Sequence, residues 1–452
     1  MGTGKVVGLA IAGAALVMCV CGAIGIGAVV HAADAAKAEV SPSAGDEAAE
    51  ALCRDGLTLP QLRGSADAVN AFSVKLFTLL AAAEPSNLVL SPYSLESVLL
   101  MAAYGARGET RREMLDALAL SPPHPVRYDA SAHAAFARLT RILAAIPDQF
   151  SVSNLAAHDR RLVPPPEYVA GLRDLYRAEI LPKDFSDSAG AASEINAWAA
   201  EGTRGGIRHI VSPGDITADT RLMLLNAVVF AGEWADAFPP ENTREGDFAA
   251  ADGAVAVKYM SHLTPLTVLR IRGAAPAGEA GGGKRLASLA ALPFRGGEWE
   301  MLLFATESVA DFLAELTPET LCAWLSEYDA ARGRGEVLPI QVELPKFAFS
   351  GEAKDLIPAL KRMGMARAFD AGGADFSGLS GGDGPLALSL IRHKARIEVD
   401  EAGARAAAVS VAAVSKSLVE RFSLRRPFVF MVRHVSTGAV VMLGRVARPV
   451  EE

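Results

Sequence analysis

The stretch from Glu401 to Phe422, EAGARAAAVSVAAVSKSLVERF, limits what this chain can fold into more than any other. Side chains of a strand alternate in direction. The even-numbered positions from residue 404 onward are Ala404, Ala406, Ala408, Ser410, Ala412 and Val414, all small enough to lie inside a sheet. The odd-numbered face, Arg405, Ala407, Val409, Val411, Ala413 and Ser415, carries the only charge of the run. No proline occurs between Asp400 and Arg426, so every backbone N–H from Ala402 to Arg425 can join a ladder. The segment is built to be a central strand.

At 452 residues, with 51% hydrophobic and 21% charged residues, the chain can bury a large core. It has no long Pro/Ser linker in its middle and no repeat of fixed period, which fits one large domain. A formal net charge of −8 argues against a general nucleic-acid binder. The run from Val6 to Val30 carries no charge and is long enough to cross a bilayer. The small-residue pattern Val30-His31-Ala32 allows cleavage after Ala32, whereas the length of the run suits an uncleaved anchor; cleavage is slightly favoured. Residues 1–32 are therefore a signal peptide or signal anchor, and placement is extracellular or, with the anchor kept, on the outer face of a membrane. Residues 33–65, rich in Ala and Glu, read as a tether. Cys53 and Cys322 are too few for a disulfide framework or a zinc site; two unpaired thiols are favoured over a mutual bridge, because Cys322 sits at an apolar helical position beside Trp324.

After the tether, Val69, Phe72, Leu76, Leu79 and Leu80 recur at helical spacing. Asn87 to Ser94 reads as a short buried strand turning into a helix, with Ser91 as cap and Pro92 at the first helical position. Thr110 to Glu113 has a capping-box pattern. Leu222 to Phe230, LMLLNAVVF, is a strand rather than a helix by its β-branched content and the Gly that follows. Gly273 to Lys284 and Asp329 to Glu336 read as solvated loops. Ser436-Thr437-Gly438 suits a hairpin turn.

These segments resemble the serpins, the serine protease inhibitor superfamily. The resemblance opens at NAFSVKLFTLL and NLVLSPYSLESVLLMAAYGARGETRREM. It continues through Glu194 to Ile207, Leu224 to Trp234, Val257 to Met260, Leu292 to Phe294 and Val342 to Phe347, and reaches its strongest at Leu388 to Gly403 and the closing Arg426 to Val446. It covers about Ala66 to Pro449. It implies an α+β fold with three β-sheets, about eight to nine helices and an exposed reactive-centre loop at about 401–422, all within a domain spanning 66–450. It also implies that a protease cuts the loop, that the loop then enters the main sheet, and that the protease is trapped as a covalent acyl-enzyme. By motif, Ser91, Asn226 and His393 lie beneath that sheet, and Trp234, Lys346 and Glu401 near the insertion point, with Glu401 and Lys346 a candidate ion pair.

The hinge is Glu401, Gly403, Ala404, Arg405, Ala406, Ala407 and Ala408. Inhibitory serpins usually follow the glycine with Thr or Ser and then Glu, whereas this chain has Ala404 and Arg405. Ala404 is as small, and Arg405 would face outward. The inhibitory reading is kept, with a non-inhibitory serpin acting as chaperone or ligand carrier as the alternative. Counting from Glu401 places the cut at Ser417-Leu418; counting back from Pro427 places it at Lys416-Ser417. The lysine suits the acidic pocket of a trypsin-like protease and is favoured; the other bond would suit an elastase- or subtilisin-like one. The partner is thus a serine protease, the chain is a monomer and not an enzyme, and no cofactor, metal or nucleic acid is called for. Gly378 to Gly382 fits G-x-S-x-G but lacks the strand before and helix after that a nucleophile elbow needs. His434 reads as a strand histidine. The basic positions from Arg127 to Arg141 read as a solvated helix face rather than a polyanion site.

Overall fold

The computed structural model describes residues 59–120, 130–217, 219–273, 283–353, 356–381, 386–389, 391, 393–403 and 420–451. Helix α1 spans Leu59–Ala83. It starts earlier than the apolar periodicity, taking in residues 59–65 that read as tether, because Pro60 is tolerated in a first helical turn. Val69, Phe72 and Leu76 point into the core as their spacing requires. Strand β1 (Leu88–Leu90) then leads into α2 (Pro92–Gly105), which Ser91 caps by accepting from the N–H of Ser94 at 3.4 Å.

The largest sheet has six strands in the order β1-β15-β14-β9-β8-β7. These are β7 (Val268–Arg272), β8 (Arg285–Pro293), β9 (Trp299–Thr306), β14 (Phe428–His434) and β15 (Val440–Val446), with β1 at one edge. Every residue of β14 and β15 is buried. Along β14 the side chains divide by parity: Phe428, Phe430 and Val432 enter one apolar core, and Val429 and Met431 enter a second, shared with α1. Helices α7 (Val309–Glu315) and α8 (Pro318–Gly333) pack on that second core. A four-stranded sheet, β13-β10-β6-β5, holds β5 (Arg244–Ala250), β6 (Gly253–Leu266), β10 (Leu338–Pro345) and β13 (Glu420–Ser423). The other strands form two narrow sheets. One is β3-β2-β4, made of β2 (Phe150–Asp159), β3 (Glu179–Lys183) and β4 (Leu222–Phe230); the other pairs β11 (Phe347–Ala353) with β12 (His393–Val399).

Leu222–Phe230 is thus a strand, as its composition requires. Helix α3 spans Gly108–Ala117, α4 Ala130–Leu143 and α5 Pro166–Tyr176. Across β2 and β4 lies α6 (Ser188–Gly202), its Ile195 and Trp198 packed with Leu155, Met223, Leu225 and Ala227. Two short helices, α9 (Ile357–Arg362) and α10 (Ser377–Ser380), bring the α-helices among the described residues to ten.

Three local expectations are corrected. Thr110 does not cap a helix: α3 has already begun, and the Thr110 hydroxyl accepts from the N–H of Asp375 at 2.9 Å while Glu113 accepts from Ala366 and Arg367. Residues 329–333 are not a loop, because Tyr328 and Ala331 extend the buried face of α8 begun by Leu321 and Leu325. Asp329 there accepts from Arg433, which also pairs with the buried Glu300. Cys322 lies on the exposed face of α8, not an apolar one; Cys53 is outside the described residues.

Candidate functional site: a slot between two strands

Strands β4 and β12 lie alongside each other, their C-terminal ends together, yet among the described residues no ladder hydrogen bonds join them. The two narrow sheets are therefore the halves of one sheet with a slot down its middle. Its floor is the start of α2. The main-chain N–H of Ser91 donates to Nε2 of His393 at 2.9 Å, and the Ser91 hydroxyl donates to the carbonyl of Val441 at 2.8 Å. One helical turn on, the hydroxyl of Ser94 bonds to Oδ1 of Asn226. Asn226 donates to Asn154 on β2 at 2.7 Å, and Asn154 donates to the carbonyl of Tyr176 at 2.7 Å. A single helical turn thus holds both banks of the slot, β12 through His393 and β4 through Asn226. Burial lowers the His393 pKa to about 4, so the imidazole is neutral and able to accept from Ser91.

The upper end is closed by a different set of bonds. The indole N–H of Trp234 donates to the carbonyl of Asp400 at 3.0 Å, and the main-chain N–H of Trp234 donates to that of Ala402 at 2.9 Å. Trp234 stacks on Phe294 at 4.7 Å, which fixes it to the end of β8. Lys346 meets Glu401 at 2.8 Å, and Glu401 also accepts from the hydroxyl of Thr243 at 2.8 Å. Partial burial pushes the Glu401 carboxyl up, but Lys346 and Thr243 outweigh it and hold the group below the ordinary carboxylate range. The same pair raises Lys346 against the opposing effect of its own burial.

At this upper end the chain turns. Asp400 and Gly403 face each other as an antiparallel bridge, and Oδ1 of Asp400 accepts from the N–H of Ala402 at 2.9 Å. Gly403 then bridges Glu233 at the end of β4, also antiparallel. Its φ is +121°, and a Cβ here would sit 2.4 Å from the carbonyl oxygen of Gly232. Only glycine fits. At Gly403 the chain has therefore reversed and stands between the two banks.

Of the residues singled out in the sequence, Ser91, Asn226 and His393 gather at the floor, and Trp234, Lys346, Glu401 and Gly403 at the top. Ala404, Arg405, Ala406, Ala407, Ala408, Lys416, Ser417 and Leu418 lie outside the described residues. Three participants were not singled out: Ser94, Asn154 and Asp400. Ser94 follows Ser91 by three residues, one helical turn, so its position on the same face was open to inference; Asn154 carries no local signal. His434 is a buried strand residue, its Nδ1 3.0 Å from the Thr437 hydroxyl. Ser380 is buried in the one-turn α10, which is entered from a short 3-10 turn at Arg367–Phe369 and irregular chain rather than directly from a strand. Arg138 is buried on α4, which leaves Arg141 outward, so the described part of that helix is less basic outside than its sequence suggests.

A family model for serpins, serine protease inhibitors, matches residues 67–449. The chain is a serpin. It is 31% identical to human glia-derived nexin over 392 residues, covering 83% of this chain and 91% of that protein. It is 28% identical to mouse leukocyte elastase inhibitor A, covering 84% and 97%. The crystal structure of human thyroxine-binding globulin complexed with thyroxine superposes with a TM-score of 0.75 over 86% of this chain and all of that one; at 23% identity this speaks for the serpin fold alone.

Proposed function

We propose that this serpin inhibits a serine endopeptidase of trypsin-like specificity by a single-use covalent mechanism, and is not itself an enzyme. The observation that carries the reading is the turn at Asp400–Gly403, which brings Gly403 to the mouth of the slot between β4 and β12. The protease serine attacks the carbonyl of Lys416, the Lys416–Ser417 bond breaks, and the new amine of Ser417 leaves while an ester joins the two proteins. The freed strand then fills the slot. Residues 33–58 serve as tether to the domain, which begins with α1 at Leu59. The uncharged Val6–Val30 run places the molecule outside the cytoplasm, either released or anchored, and it acts as a monomer.

Register supports this. Seven residues beyond Gly403 is Ser410, and seven residues before Glu233 and Asp400 are Asn226 and His393. A strand continuing both bridges would bring Ser410, the one hydroxyl on its small-residue face, directly over the floor. Inserting about ten residues between two strands adds roughly twenty backbone hydrogen bonds at about 0.5–1.5 kcal/mol each, against an ordering cost of about 1–2 kcal/mol per residue. Side-chain burial adds to the gain, and the uncleaved form is metastable.

Incubation with trypsin, followed by a denaturing gel, tests the proposal. The expected result is a band stable to denaturant, with Ser417 as the new N-terminus. A Ser417–Leu418 cut would move the target to the elastase or subtilisin class. Cleaved chain with fully active protease would support the second reading, a non-inhibitory serpin serving as chaperone or ligand carrier, which the replacement of the usual hinge residues by Ala404 and Arg405 favours.

A further inference from the structure

We infer that the surface beside β13 is a second docking site for the protease, one that takes an acidic patch on the enzyme; this rests on the proposed function. Arg272 of β7 and Arg285 of β8 are directly opposed, and Arg270 lies two residues away on the same strand, opposite Ser288. All three are exposed, and among the described residues neither Arg272 nor Arg285 pairs with a carboxylate. Like charges placed opposite each other in a ladder destabilise it. The fold carries that cost in a chain whose overall charge is −8, and an anion brought to the site relieves it.

Arg270 pairs with Glu420, which ties this cluster to the first described residue after the loop. Glu420 is itself opposite Ile340 in β10, and just before Ile340 the chain exposes Val337 and Leu338, at 44% and 55%. Among the described residues these are two of the three large hydrophobics so exposed. A cationic cluster and an apolar spot therefore flank the same point. From Glu420 back to Ser417 is at most roughly 10 Å of extended chain. A protease domain of about 220 residues has a radius of gyration of roughly 17 Å. An enzyme holding that bond in its cleft covers this surface, and its own charge there decides how fast it docks.

The test compares an anionic with a cationic trypsin, which share a specificity pocket and differ in surface charge. The readout is the second-order rate of loop cleavage, at low and at high ionic strength. Wild type is expected to react about 3–10-fold faster with the anionic enzyme at low salt, the preference fading at high salt. The R272E/R285E variant should lose or reverse it, with the cleaved bond unchanged; Leu338→Ser should slow both enzymes at either salt. Equal rates for wild type and R272E/R285E with both trypsins would overturn the inference. Loop cleavage rather than trapping is measured, so a chain that is cut without forming a covalent complex sinks the inhibitory mechanism and still tests the surface. No loop cleavage by either trypsin overturns both.

Discussion

At the scale of single residues, the turn that starts the proposed insertion depends on a missing side chain. Gly403→Val places a branched side chain at positive φ and against the Gly232 carbonyl, a strain of about 1–3 kcal/mol. The variant should trap less protease per mole and release more as active enzyme, measured by titrating residual activity against inhibitor. The hinge departure at Arg405 has a counterpart in the same register: Arg405 is two residues beyond Gly403 and Glu398 is two residues before its antiparallel partner Asp400, so an inserted Arg405 stands opposite Glu398. Glu398 is exposed on β12 and now pairs only loosely with Arg396, at 3.6 Å. An opposite-charge cross-strand pair contributes roughly 0.2–1 kcal/mol. Glu398→Arg should therefore lower the melting temperature of the cleaved form more than that of the intact form, and adding Arg405→Glu should restore it. Additive effects in this cycle would rule the pair out. Which loop positions are small was legible in the sequence, and strand parity would set them on one face of an inserted strand; the Glu398 partner was not legible, since it needs a register.

At the scale of elements, the slot is held open or closed by few contacts. The floor depends on one turn of α2, and the top on Trp234, Lys346 and Glu401. Ala408→Pro tests whether the loop enters as a strand: proline removes a ladder N–H and resists a central position. The protease should cut this variant at the wild-type rate, yet escape, and the cleaved form should lose much of the thermal gain that cleavage gives wild type. A cleaved variant as stable as cleaved wild type would exclude strand insertion past Ala408. Much at this scale was legible from sequence. The β4 strand declared itself by β-branched content, and α2 by its Ser-Pro start. The capping box at Thr110 misled because local pattern competes with tertiary hydrogen bonds, here from Asp375 and from the chain at Ala366 and Arg367. The slot itself could not be read, because the gap between β4 and β12 is a relation between segments far apart in sequence.

At the scale of the whole molecule, the intact form should weaken in acid because three histidines are buried neutral. His133, His393 and His434 are each lowered to about 4, in all three cases chiefly by burial. Unfolding releases each to its ordinary value near 6.5, so the unfolded chain binds more protons as pH falls below that point. The contribution to stability is complete above about 6.5 and is lost progressively down to about 4. Glu96 acts in the opposite sense: burial raises its carboxyl well above the ordinary value, so it stabilises the fold as pH falls and offsets one histidine. A net of about two protons gives a loss of roughly 2–3 kcal/mol per pH unit between about 6 and 4.5. Thermal melts of the intact protein across that window should shift steadily downward. His393→Gln should flatten the dependence by about half, since it removes one of the net two protons; its amide can still accept from Ser91 without taking up a proton. A melting temperature constant from pH 6.5 to 4.5 would show that these histidines do not titrate across unfolding, and the neutral His393 assigned to the slot floor would fall with it.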